Sequence, residues 1–102
     1  MSYFVYIIQS TTSGKWYIGY SSELETRIKN HNAGFNASTK NRGPWVLIFA
    51  REFGNKMEAV GFERYLKKTR NKEYIKKHYT GYFLQDDRGV YPDASGPVSA
   101  PR

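Results

Sequence analysis

Two short strand-like segments separated by a turn cluster open the chain, and they restrict the folds available to it. Residues 3–9 and 15–20 are rich in β-branched and aromatic side chains, which favour strands. The polar residues 10–14 between them are typical of a turn. Strands joined by so short a connection pair antiparallel, because a parallel pair needs a long crossover. The sequence therefore predicts a sheet that begins with a hairpin.

The first predicted helix follows this hairpin directly. Ser22 and Glu25 form a capping-box pattern, in which the two side chains satisfy backbone N–H groups at the helix start. Leu24 and Ile28 give the helix an apolar stripe. Gly34 suits the left-handed conformation that commonly ends a helix. We therefore expect the helix to end at residues 33–34.

A polar loop over residues 35–44 leads to a third strand, predicted at residues 45–53. Asn55, with Glu58 three residues later, begins a second helix that reaches about residue 68, and Asn71 begins a short third helix. The order β-β-α-β-α-α predicts an α+β domain with a small three-stranded, mainly antiparallel sheet flanked by helices. We expect the helices to cover one face of that sheet.

The composition changes near residue 80. Residues 81–102 contain three Asp and two Arg, with Gly, Pro and Ser at close intervals and no periodicity. We therefore predict one folded domain over residues 1–79 and a flexible C-terminal tail over residues 80–102, with a transient contact through residues 82–84.

The charge of the chain points to a polyanionic partner. The formal net charge is +7, from 16 Lys and Arg against 9 Asp and Glu, and residues 64–78 alone contain seven basic residues and one Glu. Nucleic acid is the commonest such partner, although charge alone also fits an anionic membrane surface or an acidic protein. No segment approaches the roughly 20 apolar residues of a membrane helix, and no signal peptide is evident, so we expect a cytoplasmic protein.

One carboxylate departs from the pattern of its helix. Glu63 lies between Phe62 and Leu66 at the border of an apolar stripe, where a charge is costly unless it is paired or coordinates a metal. An ion pair with Arg64 or Lys67 is the simpler explanation. Because the chain has no cysteine and two histidines, any catalytic metal is expected to be a hard ion of the Mg²⁺ or Mn²⁺ class.

Two further pairs of side chains come close together if the predicted hairpin and first helix form. Tyr6 and Tyr17 share one face of the hairpin if its loop has an even number of residues. Arg27 and His31 are four residues apart and lie on one side of the first helix. Ordinary packing or a solvated helix face would explain both pairs. A phosphate clamp is the functional alternative for Arg27 and His31, since guanidinium donates to phosphate and imidazole can carry a proton.

In this order and spacing the residues resemble the GIY-YIG nuclease family, and its small single-domain members in particular. Phe4-Val5-Tyr6 stands where the family has GIY, and Tyr17-Ile18-Gly19 stands where it has YIG. Arg27, His31 and Glu63 follow in order. The resemblance covers about residues 3–79, although Phe4 replaces the first glycine and no second domain is present to choose a target.

The resemblance implies hydrolysis of phosphodiester bonds in DNA with one divalent ion, Mg²⁺ or Mn²⁺, in repair or recombination. Glu63 would hold the metal, Arg27 would bind the scissile phosphate, and Tyr6, Tyr17 and His31 would position or deprotonate the attacking water. A tyrosine base would need a depressed pKa, whereas a His31 base would titrate near its ordinary pKa of about 6.5. We favour a tyrosine as the base. A non-catalytic nucleic-acid-binding module of the same fold is the alternative function.

Basic side chains around these positions are expected to contact the DNA backbone. A partner protein is expected to help choose the substrate, and the sequence does not predict an oligomeric state. The predicted nucleic-acid contacts are Arg27, Lys40, Arg42, Lys67, Lys68, Arg70, Lys72, Lys76 and Lys77.

Overall fold

A computed structural model describes residues 2–36 and 39–84 and has a three-stranded sheet at its centre. The predicted α+β class and the order β-β-α-β-α-α are confirmed. No helix in these ranges is long and apolar enough to cross a membrane. The elements are β1 (Tyr3–Ser10), β2 (Trp16–Ser21), α1 (Leu24–Ala33), β3 (Trp45–Phe53), α2 (Lys56–Thr69) and α3 (Lys72–His78).

Strand β1 lies in the middle of the sheet and pairs antiparallel with both neighbours, in the order β2-β1-β3. In the hairpin, Tyr6 is opposite Gly19 and Ile8 is opposite Tyr17. Since side chains two residues apart share a face of a strand, Tyr6 and Tyr17 lie on the same side of the sheet. The backbone N–H of Ser10 also donates to the carbonyl of Lys15 at 2.9 Å, so residues 11–14 form a loop with an even number of residues and the expectation is confirmed.

The pairing of β1 with β3 contains a register shift between Ile7 and Ile8. Ile7 pairs with Phe49 and Ile8 pairs with Leu47, so Ile48 is an extra residue on β3. Ile48 and Phe49 are therefore adjacent in sequence yet belong to the same buried cluster. A bulge of this kind cannot be predicted from alternation, because it interrupts the alternation.

Helices cover both faces of the sheet, so the expectation that they cover one face was wrong. Helices α2 and α3 pack on the face that carries Val5 and Ile7, and α1 packs through Ile28 on the opposite face, which carries Tyr6 and Ile8. The physical reason lies in β1, whose four residues 5–8 are all buried. A central strand that is apolar on both sides needs cover on both sides.

Three of the predicted helix ends are confirmed. Asn55 caps α2, its side-chain oxygen accepting from the backbone N–H of Glu58 at 2.9 Å. Asn71 caps α3 in the same way, accepting from the N–H of Tyr74 at 3.0 Å. Gly34 follows α1 with a φ of 86°, which is the left-handed conformation expected of a glycine at this position.

The predicted capping box at the start of α1 was wrong. The N-cap position is Glu23, and no side chain caps the helix there. Instead the hydroxyl of Ser21, at the end of β2, accepts from the backbone N–H of Glu23 at 2.9 Å. Neighbouring serines offer the same turn chemistry, and the connection from β2 to α1 selects Ser21 rather than Ser22.

The packed part of the chain continues past the predicted boundary at residue 79. A 3₁₀ turn over Thr80–Tyr82 brings Phe83 opposite Phe49 in an isolated β-bridge. The backbone N–H of Leu84 then donates to the carbonyl of Ile48 at 2.8 Å. Residues 80–84 therefore pack against β3, and the remainder of the predicted tail, residues 85–102, lies outside the described residues.

Candidate active site

A tyrosine and a histidine meet between β1 and α1, and both side chains are only 1% exposed. The hydroxyl of Tyr6 lies 2.8 Å from Nε2 of His31. Sequence reasoning placed His31 beside Arg27 on one side of α1, but His31 is buried against the sheet and Arg27 is exposed. The helix is rotated so that only the second member of the pair faces the sheet.

Thr39 completes a chain of hydrogen bonds through the histidine. Its hydroxyl lies 2.8 Å from Nδ1 of His31 and donates to the carbonyl of Asn36 at 3.4 Å. We assign the ring tautomer from this network: Nδ1–H donates to Thr39, which leaves Nε2 to accept from the hydroxyl of Tyr6. The proton of the tyrosine therefore points at the imidazole.

Burial shifts the pKa values of both partners away from those expected. Burial, assisted by the positive charge of Arg27, lowers the pKa of His31 to about 4, so the predicted value near 6.5 was wrong. Burial also raises the pKa of Tyr6 well above its usual range. Tyr17 and Glu63 act in the same direction and outweigh Arg27. At neutral pH the pair is a neutral phenol and a neutral imidazole.

Tyr17 joins this pair from the edge of the sheet. Its ring centroid lies 4.8 Å from that of His31, with 59° between the ring planes. Tyr17 is half-buried, whereas Tyr6 is buried. The two motif tyrosines and the histidine are thus brought together, with one phenol enclosed and the other partly open to solvent.

Gly19 makes room for the buried hydroxyl. A Cβ atom at this position would lie 2.6 Å from the oxygen of Tyr6 and 2.8 Å from its Cζ, closer than side chains tolerate. Gly19 belongs to the Tyr17-Ile18-Gly19 motif, but the sequence motif did not indicate a role for it. A glycine inside a strand is the signal that could have indicated the close approach.

Glu63 lies on α2 and acts electrostatically on Tyr6. Its side chain is 12% exposed and forms an ion pair of 3.1 Å with Lys67. The ion pair that the sequence offered as the simpler explanation is therefore present. It does not exclude a metal, because Mg²⁺ is commonly bound by one or two carboxylates together with water and substrate phosphate.

The donor set that surrounds this carboxylate is small. Among the described residues, no group of three or more His, Cys, Asp or Glu side chains could enclose a metal ion. A single partly buried carboxylate fits a hard ion whose other ligands are water and phosphate oxygens, and it does not fit a dedicated protein cage.

A groove of about 410 Å³ runs between β2 and the two C-terminal helices. Trp16 and Tyr17 line one side of it, and the predicted DNA contacts Lys67, Arg70 and Lys72 line the other. The groove therefore places three basic residues beside the more exposed of the two motif tyrosines.

Not all the basic residues of this region are free to meet a ligand. The ammonium of Lys72 donates to the carbonyl of Gly14 at 3.1 Å and lies 5.1 Å from the ring centroid of Trp16. Lys76 lies 6.0 Å from the same ring. By contrast, Lys68, Arg70 and Lys77 are exposed, as are Lys40 and Arg42 in the loop after α1.

That loop is held in place by Asn32, a residue the sequence did not single out. Its amide donates to the carbonyl of Trp45 at 3.0 Å and accepts from the Trp45 N–H at 2.7 Å. The indole of Trp45 donates to the carbonyl of Thr39 at 3.1 Å. These contacts fix Thr39 beside His31, and no periodicity in the sequence could have indicated them.

The chain is similar in sequence to a known domain family and to several curated proteins. The profile of the GIY-YIG catalytic domain matches residues 2–82. The UPF0213 protein YazA of Bacillus subtilis is 42% identical over 76 residues, covering 72% of this chain and 76% of the relative. A UPF0213 protein of Clostridium perfringens is 43% identical over 72 residues, covering 69% and 76% respectively.

A solved structure is also similar to this chain. The solution NMR structure of the UPF0213 protein BH0048 from Bacillus halodurans is 34% identical, covers 74% of this chain and 81% of its own, and superposes with a TM-score of 0.47. Because the catalytic-domain profile spans most of the residues and relatives above 40% identity cover more than two thirds of the chain, the protein belongs to the GIY-YIG family of nuclease domains.

Proposed function

We propose that this protein is a divalent-metal-dependent endonuclease that hydrolyses phosphodiester bonds in DNA. The observation that carries the proposal is the buried chain from Tyr6 through His31 to Thr39. The charges of Arg27 and Glu63 act on the tyrosine of this chain. Buried polar groups are costly, and an apolar trio would pack the same space without that cost. Membership of a nuclease family supports a catalytic reason for the chain.

Arg27 binds the scissile phosphate in this proposal. Its side chain is exposed, one helical turn before His31, and its charge contributes to the low pKa of that histidine. A guanidinium provides several donors in a fixed plane, which suits phosphate oxygens and the negative charge that grows on them during attack.

Tyr6 and His31 activate the attacking water together. Tyr6 keeps its proton at neutral pH, and its oxygen has a lone pair that can accept a proton from water while its own proton passes to Nε2 of His31. Nδ1–H of the resulting imidazolium remains hydrogen-bonded to Thr39. His31 is then the final proton acceptor and Tyr6 the relay. This proposal differs from the tyrosine base favoured on the sequence, because burial raises the pKa of Tyr6 and keeps the phenol protonated. Tyr17 orients the water from the edge of the sheet.

Glu63 would hold the divalent ion, Mg²⁺ or Mn²⁺. When bound, such an ion stabilises negative charge on the phosphate and on the leaving oxygen. The carboxylate is suited to this role because it is partly buried on a helix and its field reaches Tyr6. The groove beside Tyr17 would carry the DNA backbone past Arg70 and Lys67.

Nicking of supercoiled plasmid by the purified protein in Mg²⁺ tests the proposal. Glu63→Gln removes the anionic ligand at nearly constant shape, so cleavage should fall about a hundredfold or more while duplex binding persists. Glu58→Gln, an exposed change on the same helix, is the matched control and should cleave like the wild type.

Two results would contradict the proposal. Equal cleavage by Glu63→Gln and Glu58→Gln would remove Glu63 from the mechanism. A wild-type protein that binds duplex DNA but nicks nothing in Mg²⁺ or Mn²⁺ would instead be a non-catalytic nucleic-acid-binding module of this fold.

A further inference from the structure

Lys67 is paired with Glu63 on α2, and the proposed mechanism gives it no role in that position. The ammonium of Lys67 lies 3.1 Å from an oxygen of Glu63, and the side chains are 52% and 12% exposed. We propose that Lys67 is the resident counter-ion of the metal-binding carboxylate, and that a divalent ion must displace it. The inference rests on the proposed function, in which Glu63 holds the metal.

Stability alone gives little reason for this pair. An i,i+4 ion pair at a helix surface contributes little to folding. The position of Glu63 gives a stronger reason, because a carboxylate at the edge of an apolar stripe is costly when it is unpaired. Lys67 pairs with that carboxylate and orients it while no metal is bound.

The ammonium of Lys67 and a divalent ion would compete for the carboxylate oxygens of Glu63. Glu63 brings one negative charge, while Arg27 and Lys67 bring two positive charges to the region around Tyr6 and the groove. Among the described residues no group of three or more His, Cys, Asp or Glu side chains is available to enclose the ion. A divalent ion therefore meets repulsion in the free protein, and a substrate phosphate would relieve it.

The displaced lysine has another place to bind. Lys67 also lines the groove with Arg70 beside Tyr17, where the DNA backbone is proposed to lie. Loading of the metal would therefore turn Lys67 from a carboxylate partner into a phosphate contact. Metal and DNA binding reinforce each other through this one side chain.

Binding of Mn²⁺ to the full chain without DNA, followed by the EPR signal of free Mn²⁺, tests the inference. Lys67→Gln removes the competing charge, so Mn²⁺ should bind about two- to fivefold more tightly, which is the range of an exposed ion pair. Lys56→Gln makes the same charge change at an exposed position of the same helix and should match the wild type. Glu63→Gln should abolish binding.

Three outcomes would overturn the inference. They are equal Mn²⁺ affinity in Lys67→Gln and Lys56→Gln, retention of Mn²⁺ by Glu63→Gln, and no detectable Mn²⁺ binding by either the wild type or Lys67→Gln. Because the readout is metal binding alone, it separates from cleavage. A protein that shows the expected Mn²⁺ pattern but never nicks DNA would refute the nuclease and leave the role of Lys67 standing.

Discussion

The two faces of the sheet are equally buried but are packed by different means. On the face covered by α2 and α3, Ile7, Phe49 and Leu66 are fully buried in an apolar cluster. On the face covered by α1, the buried side chains include His31 and Thr39, which hydrogen bonds join to Tyr6. The first face holds the fold by apolar burial, and the second places hydrogen-bonding groups where they are shielded from bulk solvent.

The difference sets how each face responds to damage. Removing atoms from the apolar cluster leaves a cavity, and the cost follows the volume that is lost. Removing one member of the hydrogen-bonded chain leaves its partner buried without a hydrogen bond. The loss in the free energy of unfolding therefore exceeds what the lost side-chain volume suggests. The same burial therefore makes one face tolerant of conservative changes and the other sensitive to single atoms.

Phe49→Ala should give the largest loss of stability. Phe49 is 0% exposed, and truncation of a core phenylalanine costs about 3–5 kcal/mol in the free energy of unfolding. Urea denaturation measures the loss. The change lies on the face opposite Tyr6 but beneath α2, which carries Glu63, so a loss of cleavage beyond the loss of folded protein would show that this packing positions the proposed metal ligand.

Acid should weaken the α1 face selectively. The pKa of His31 is about 4 in the folded protein and about 6.5 when unfolded, so between these values the unfolded chain binds more protons. Stability should therefore fall as the pH drops from 6.5 to 4, by up to roughly 3 kcal/mol. Urea midpoints across this range, compared with the non-titrating His31→Gln, measure the contribution.

The same shift predicts the acidic limb of the cleavage profile. If His31 is the final proton acceptor, the rate should decline near pH 4 rather than near pH 6.5. Repeating the profile with Mn²⁺ in place of Mg²⁺ separates a histidine from metal-bound water, since only the latter follows the metal. A metal-independent limb near 6.5 would show that His31 titrates as an exposed histidine does.

Thr39→Val tests whether the chain matters atom by atom. Valine nearly keeps the shape of threonine but leaves Nδ1 of His31 without its partner, which should cost about 1–3 kcal/mol. Thr11→Val, the same change at an exposed position, should have almost no effect. Equal urea midpoints for the two variants would mean that solvent satisfies the histidine after all.

The helix caps provide the smallest contrast. Asn55→Ala removes the side chain that caps α2 and should cost about 1 kcal/mol. Ser22→Ala should change stability by less than about 0.5 kcal/mol, because Ser22 does not cap α1. Thermal or urea unfolding resolves the pair, and a larger loss in Ser22→Ala would restore the capping box that the sequence suggested.

The parts of the fold that depend on local chemistry could be predicted from the sequence. Asn55 and Asn71 cap their helices through their own side chains, and the face shared by Tyr6 and Tyr17 follows from parity alone. The bulge at Ile48 could not be predicted, because the paired strand decides which residue is extra. The unbroken apolar run of β1 indicated that both faces of the sheet need cover, but the prediction placed helices on one face only.

The candidate site was predictable in membership but not in environment. Resemblance named Tyr6 and His31, yet the pKa of each depends on burial that a sequence does not display. Thr39 sits eight residues after His31 in an irregular loop, and only the tertiary contacts of Asn32 and Trp45 bring it back. Long-range hydrogen bonds of this kind leave no periodic trace.

The close approach of Gly19 to the hydroxyl of Tyr6 shows how a variant of this domain could lose activity without losing a catalytic side chain. A methyl group there would collide with the hydroxyl of Tyr6 and drive it away from His31, while every side chain of the proposed machinery stayed in the sequence. Gly19→Ala would therefore make a domain that still presents Arg27, Glu63 and the basic groove but has a broken proton path. Such a variant would have all the proposed catalytic side chains and yet would be expected only to bind DNA. The substitution of Gly19 would be the one sign of its inactivity in the sequence.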